Sequence, residues 1–228
     1  RYSRFTGCKN ELEASVLTFV PMDDNCEVSQ IRLTNKSSET KDVSLFSYVE
    51  WCLWNADDDS RNFQRNLNTG EVEVIGSAIY HKTEYRERRN HYAVYSVNAP
   101  VDGFDTSRDA FLGAYRGVAE PEAVENGKCT NSLASGWSPI ASHQLHMSIA
   151  PGETKSFVFV LGYIENPEEE KWESPGVINK KPAERMLAKY RTDADVDRAF
   201  AALNDYWTEL LSKYSVKSSN DKVDRMVN

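Results

Sequence analysis

The spacing of apolar residues changes once along this chain, and that change limits the folds the chain can adopt. Over most of the first two thirds, apolar and polar residues alternate with a period of two, as in residues 13–20 and 28–34. From about Pro182 the apolar residues recur at the helical spacing of about 3.6. A period of two places successive side chains on opposite faces of a strand. The sequence therefore predicts an antiparallel β-sandwich followed by helices, a mainly β fold.

Turn-forming residues separate the alternating segments, as expected for strands joined in antiparallel order. The predicted strands are residues 13–20, 28–34, 41–49, 70–75, 78–83, 91–97, 144–149 and 155–162. Residues 98–142 interrupt the alternation with Gly-, Ser- and Asp-rich sequence, in which Arg108–Leu112 suggests a short helical turn. Such a long excursion usually either carries function or covers a sheet face.

Two helices are predicted after the sandwich. Pro182 stands near the start of the first helix, where its missing N–H is tolerated. Thr192 has the side chain of an N-cap for the second. The apolar stripe of this second helix consists of Val196, Phe200, Leu203, Trp207, Leu210, Leu211 and Tyr214. Such a stripe must be buried, either on the sandwich or on a further domain, and Ser218 to Asp221 resembles the start of another helix.

Composition excludes several classes of function. The net charge of −8 and a pI near 5.1 do not fit a protein that binds nucleic acid or an anionic membrane. The four cysteines match no zinc or redox spacing, so we expect reduced thiols in a cytoplasmic protein. They are Cys8, Cys26, Cys52 and Cys129. No apolar run approaches the roughly 20 residues of a membrane span, and no signal peptide is recognisable.

Residues 50–66, EWCLWNADDDSRNFQRN, combine the side chains that hold a sugar. The indoles of Trp51 and Trp54 can cover the apolar face of a pyranose, while Asn and Arg side chains donate directional hydrogen bonds to hydroxyls. The polar candidates are Asn55, Asn62, Gln64, Arg65 and Asn66. The alternative interpretation is that the tryptophans are core residues and the acidic run is a solvated loop. Calcium is a poor fit, because the Gly and Glu positions of an EF-hand loop are both Asn here.

No catalytic motif is recognisable. The sequence contains no GxSxG, GxxxxGKS or HExxH pattern. His143 and His146 are three residues apart on a predicted strand, so they should lie on opposite faces and not chelate a metal. Glu50 is expected either as a buried acid or as the ion-pair partner of Arg65 or another base of the loop. His81 and His91 are expected as partners for Glu84 or Glu87.

Four segments carry a resemblance to a known family. They are residues 46–66, residues 70–108, the motif SGWSPI at 135–140 and ENPEEEKWESPGVINKK at 165–181. Together they resemble the cellobiose phosphorylases, which are inverting glycoside phosphorylases of glycoside hydrolase family 94. The resemblance runs over nearly the entire chain.

The resemblance implies an organisation for the chain. Residues 1–178 would form a galactose-mutarotase-like super-sandwich that lacks its first strands. Residues 179–217 would form a helical linker, and residues 218–228 would be the truncated start of an α/α barrel that holds catalysis. The general acid, an Asp, and the phosphate-binding residues would lie in that barrel, so no catalytic residue is expected here.

The resemblance also implies a role for the loop. Arg65 and Asn62, with Asn55 more peripheral, would bind the acceptor sugar. The expected reaction is the phosphorolysis of cellobiose to α-glucose 1-phosphate and glucose, with phosphate as a substrate, no cofactor, no metal and a homodimeric protein. The alternative is a non-catalytic carbohydrate-binding or structural β-sandwich module.

Overall fold

The computed structural model describes residues 2–51, 70–83, 90–134, 136 and 139–227. The strands in these ranges are β1 (Tyr2–Lys9), β2 (Leu12–Phe19), β3 (Cys26–Asn35), β4 (Lys41–Phe46), β5 (Val49–Glu50), β6 (Gly70–Ile75), β7 (Ala78–Thr83), β8 (His91–Val97), β9 (Gly103–Ser107), β10 (Pro139–Ile149), β11 (Thr154–Glu165), β12 (Trp172–Ser174) and β13 (Val177–Ile178). The helices are α1 (Arg108–Leu112), α2 (Glu122–Glu125), α3 (Lys181–Leu187), α4 (Asp193–Ser212) and α5 (Asp221–Val227).

Two antiparallel sheets form a sandwich, which confirms the predicted fold class. The larger sheet has seven strands in the order β1-β2-β3-β11-β8-β7-β6. The smaller sheet has the order β4-β10-β5, with β9 also paired to β10. The core between the sheets is apolar and includes Ile79, Val97, Leu145 and Phe159, each less than 4% exposed.

Helices α3 and α4 cover the outer face of the larger sheet. Met186 and Val196 are buried there against strand residues such as Val28 and Val160. A Cβ at Gly162 on β11 would collide with the Met186 side chain, so the glycine allows the close approach of α3. The helical segment that follows the sandwich is therefore packed onto it as a layer.

The start of α4 is fixed by two sets of hydrogen bonds. Thr192 accepts from the Asp195 N–H at 3.2 Å, and the Asp195 carboxylate accepts from the Thr192 N–H at 3.1 Å. This reciprocal capping box confirms Thr192 as the N-cap. Asp193 accepts from the side chains of Gln30 and Ser156 on the larger sheet, at 2.8 and 2.7 Å.

The apolar stripe of α4 is only half used within the described residues. Val196 and Leu203 are buried, and Phe200 and Trp207 pack against the same cluster. The end of the stripe is exposed, at 41% for Leu210, 42% for Leu211 and 67% for Tyr214.

The elements that were not predicted include β1, β9, the first part of β10 and the short α2, β12 and β13, and the predicted strand 41–49 is divided into β4 and β5. β1 is exposed along its whole length, so neither face carries a run of apolar residues that would mark a strand. β10 begins at Pro139, five residues before the predicted start, and its first residues, including the polar Ser142 and His143, are buried on both faces, so they show no alternation. β9 lies within the excursion, whereas the helical turn Arg108–Leu112 was predicted and is confirmed as α1.

The excursion covers the outer face of the smaller sheet. Phe111 and Leu112 of α1 are buried there with Ile140 of β10, and Phe46 and Tyr48 pack against them. The described part of residues 98–142 is thus a packed cover, one of the two roles expected for it.

Candidate functional site

The residues predicted to bind sugar, Arg65, Asn62 and Asn55, lie outside the described residues. So do Trp54 and the acidic run that follows it. The structure describes the chain as far as Trp51 and again from Gly70. Because β5 belongs to the smaller sheet and β6 is the edge strand of the larger one, residues 52–69 connect the two sheets.

Trp51, the residue from which this connection starts, belongs to the core. It is 5% exposed and stacks on His81 of β7, with 5.4 Å between the ring centroids and 15° between the planes. An indole ring that is buried by packing has no free face with which to cover a sugar. The structure therefore supports the interpretation of Trp51 as a core residue and not as a platform for sugar. Residue type alone could not distinguish these two roles.

His81 is a neutral imidazole at the base of this connection. It is fully buried, and burial lowers its pKa to about 4. Within the part of the chain that the structure describes, neither ring nitrogen of His81 nor the indole N–H of Trp51 has a hydrogen-bond partner. Glu84 and Glu87, the partners expected for His81, lie outside the described residues, so that pairing stays a prediction.

Glu50 anchors the other side of the base. Its carboxylate accepts a hydrogen bond from the Tyr48 hydroxyl at 2.6 Å and from Nε of Arg108 at 3.1 Å. The pKa of Tyr48 is raised, mainly by burial and to a smaller extent by the hydrogen bond to Glu50. Arg108 of α1, 58 positions away, is a partner that sequence order could not identify, while the expected pairing of Glu50 with a base of the loop falls on residues outside the described ranges.

A buried carboxylate holds the cover that carries Arg108. Asp105 on β9 is fully buried and accepts from the hydroxyls of Thr130 and Ser132 at 2.6 and 2.7 Å, and also from both of their backbone N–H groups. Gln144 adds a second clamp, because it accepts from the Cys129 N–H and donates to the Gly127 carbonyl, both at 2.8 Å.

His143 joins the two sheets. Its Nε2 donates to the Ser77 carbonyl at 3.0 Å, which leaves Nδ1 to accept from the Ser47 hydroxyl at 3.1 Å. Burial lowers the pKa of His143 to about 4. His146 is exposed and 3.2 Å from Ser44, so the two histidines lie on opposite faces as predicted.

Other functional classes find little support in the described ranges. No group of three or more His, Cys, Asp or Glu side chains there could hold a metal ion. Cys8, Cys26 and Cys129 are free thiols, and burial raises the pKa of Cys26 and of Cys129 to about 12. In the same ranges, no helix combines the length and apolar character needed to cross a membrane.

Curated proteins similar to this chain include several that are named as phosphorylases. The N,N'-diacetylchitobiose phosphorylase of Vibrio proteolyticus is 32% identical over 231 residues, which cover 100% of this chain and 27% of that protein. A protein of the same name from Vibrio furnissii is 30% identical, with 100% and 27% covered. The solabiose phosphorylase of Paenibacillus borealis is 24% identical, with 100% and 28% covered.

This chain thus spans little more than a quarter of the length of these relatives. The family described as "Glycosyl hydrolase 94, supersandwich domain" matches residues 1–193, which include both sheets, α3 and the capping residue of α4. The chain belongs to the glycosyl hydrolase 94 supersandwich domain family.

Proposed function

We propose that this chain is the sandwich part of an inverting glycoside phosphorylase and that residues 52–69 line its acceptor-sugar subsite. The observation that carries the proposal is the family match over residues 1–193, together with relatives that bear the names of disaccharide phosphorylases. The proposed sugar-binding residues are Arg65, Asn62 and Asn55. A guanidinium presents several fixed donors and an amide presents both a donor and an acceptor, which suits the hydroxyls of a sugar.

The described geometry supports a precisely held loop base. Trp51 is locked by its stack on His81, and Glu50 is locked by Tyr48 and Arg108. Arg108 is in turn carried by a cover that Asp105 fastens to the smaller sheet. A binding segment whose start is fixed in this way loses less conformational freedom when it engages a ligand.

In the proposed reaction, phosphate attacks the anomeric carbon while a general acid protonates the departing glycosidic oxygen. Because phosphate replaces water as the nucleophile, one carboxylic acid is sufficient where an inverting hydrolase needs two. We place the general acid and the phosphate-binding residues in a helical barrel outside this chain. The role left to this chain is to bind and orient the acceptor, without a cofactor of its own.

Two substrates compete in this proposal. The sequence resemblance favours cellobiose, which would give α-glucose 1-phosphate and glucose. The relatives at 32 and 30% identity favour N,N'-diacetylchitobiose. We propose cellobiose as the substrate, in a cytoplasmic homodimer, and the free thiols in the described ranges support a reducing compartment.

The test is phosphate-dependent release of a sugar 1-phosphate by the complete protein that contains this chain. We expect turnover of cellobiose to exceed that of N,N'-diacetylchitobiose, and no release of sugar when phosphate is omitted. If N,N'-diacetylchitobiose were turned over faster than cellobiose, the proposed substrate would be wrong but the assignment as a phosphorylase would stand. Turnover without phosphate would contradict the phosphorylase assignment itself.

The second candidate is a non-catalytic carbohydrate-binding or structural module, and it makes a different prediction. Such a module would bind sugar through exposed aromatic faces and would need no further domain. The burial of Trp51 argues against a platform at that residue. Absence of any phosphate-dependent turnover in the complete protein would favour this candidate.

A further inference from the structure

A cleft of about 690 Å³ opens at one end of the sandwich, beside the start of β3 and the end of β11. This volume falls within the range of about 300–1,000 Å³ that small-molecule sites occupy. Its lining combines an apolar surface with a polar rim. The residues that matter are Asn25, Glu27, Val49, Trp51, Leu161 and Tyr163.

Tyr163 is held in place by His91, which in turn contacts Glu165. Its hydroxyl is hydrogen-bonded to Nδ1 of His91, and Nε2 of His91 lies 3.3 Å from the carboxylate of Glu165. A carboxylate only accepts hydrogen bonds, so in the neutral ring Nε2 carries the proton and Nδ1 accepts from the tyrosine. The phenolic oxygen of Tyr163 is therefore left with lone pairs to accept from a ligand.

Glu27 adds a second acceptor at the cleft, and the side-chain amide of Asn25 can donate as well as accept. Glu27 is exposed and, in the described part of the chain, has no hydrogen bond or ion pair from its carboxylate. No Lys or Arg is among the described residues that line the cleft. The hydroxyls of a sugar supply donors for Tyr163 and Glu27 and an acceptor for the Asn25 amide, whereas an anion would be repelled by the Glu27 carboxylate.

We propose that this cleft is a second carbohydrate site that binds a neutral sugar through its hydroxyls. Val49 and Leu161 cover the C–H surface of the sugar, while Tyr163 and Glu27 accept from its hydroxyls. The Glu27 carboxylate disfavours sugar phosphates through charge repulsion. The residues proposed to bind here are Tyr163 and Glu27 rather than Arg65, Asn62 and Asn55, and the proposal does not depend on the chain being part of a phosphorylase.

Calorimetric titration of the 228-residue chain at pH 8 tests this proposal, with cellobiose, glucose and glucose 1-phosphate as ligands. We expect saturable, millimolar binding of cellobiose or glucose, and binding of glucose 1-phosphate that is at least about ten-fold weaker because of the acidic rim. Equal or tighter binding of the phosphate ester, or no binding of either neutral sugar, would overturn the proposal.

Two variants locate the binding. Tyr163→Phe and Glu27→Gln should each weaken it by roughly five-fold, since each removes or weakens one acceptor. Glu27→Gln changes an exposed residue, so it keeps the test valid even where the tyrosine variant folds poorly. Tyr206→Phe, on an exposed tyrosine of α4, is the matched control and should leave the affinity unchanged.

Arg65→Ala separates this proposal from the proposed function. The cleft predicts that this variant binds neutral sugar as the unaltered chain does. Loss of binding in Arg65→Ala, with full binding in Tyr163→Phe and Glu27→Gln, would refute the cleft and assign the site to residues 52–69. Loss in the cleft variants alone supports the cleft whatever the outcome of the phosphorolysis assay.

Discussion

Acidification from pH 7.5 to about pH 4.5 is expected to destabilise the folded chain by several kcal/mol through two histidines. Burial lowers the pKa of His81 and of His143 to about 4, against an ordinary value near 6.5. Between these values the unfolded chain binds protons that the folded chain does not. Each histidine thus contributes stability that is complete above about pH 6.5 and is lost as the pH falls toward 4, at about 1.4 kcal/mol per pH unit.

Urea unfolding at a series of pH values measures this loss, and histidine variants assign it. We expect His81→Phe to keep the stack on Trp51 and to be about 2–3 kcal/mol less destabilised by the shift to pH 4.5 than the unaltered chain. His146→Gln, at an exposed histidine on the same strand as His143, is the control and should follow the unaltered chain. An unchanged pH dependence in His81→Phe would show that His81 is not the buried neutral group described here.

Replacement of Asp105 by Ala is expected to cost about 3–5 kcal/mol in the free energy of unfolding. The reason is that the substitution leaves the hydroxyls and backbone N–H groups of Thr130 and Ser132 without their acceptor in a buried site. Asp105→Asn retains one acceptor oxygen and should lose less. Thermal or urea unfolding measures both changes.

Asp205→Ala provides the comparison for this loss. Asp205 is exposed on α4, and its replacement should change stability by no more than about 0.5 kcal/mol. A cost for Asp105→Ala as small as that for Asp205→Ala would mean that the cover over the smaller sheet is held by its apolar contacts alone.

The fold was predictable where one face of an element is buried and the other is not. The strands with period-two alternation and the capped start of α4 are of this kind. β1 and the first part of β10 escaped prediction for opposite reasons, since one is exposed on both faces and the other is buried on both. In neither case does burial impose an alternating pattern on the sequence.

The candidate site was less predictable because its contacts join distant parts of the chain. Sequence composition identified the stretch that starts at Glu50 but could not tell that Trp51 packs on His81. The pairing of Glu50 with Arg108 and the fastening of Tyr163 by His91 depend on sheet order, which a single sequence does not encode locally. Arg65, Asn62 and Asn55 remain predictions that rest on the resemblance.

The assignment of the loop to the acceptor sugar is tested most directly by kinetics of Arg65→Ala in the complete protein. The measurement is the KM for the acceptor, glucose or N-acetylglucosamine, in the direction of disaccharide synthesis. Loss of a charged hydrogen bond to a sugar hydroxyl predicts a rise in this KM of about 10- to 100-fold. Arg61→Ala, four positions earlier in the same segment, is the matched control and should leave the KM within about two-fold. An unchanged KM and turnover in Arg65→Ala would contradict the account.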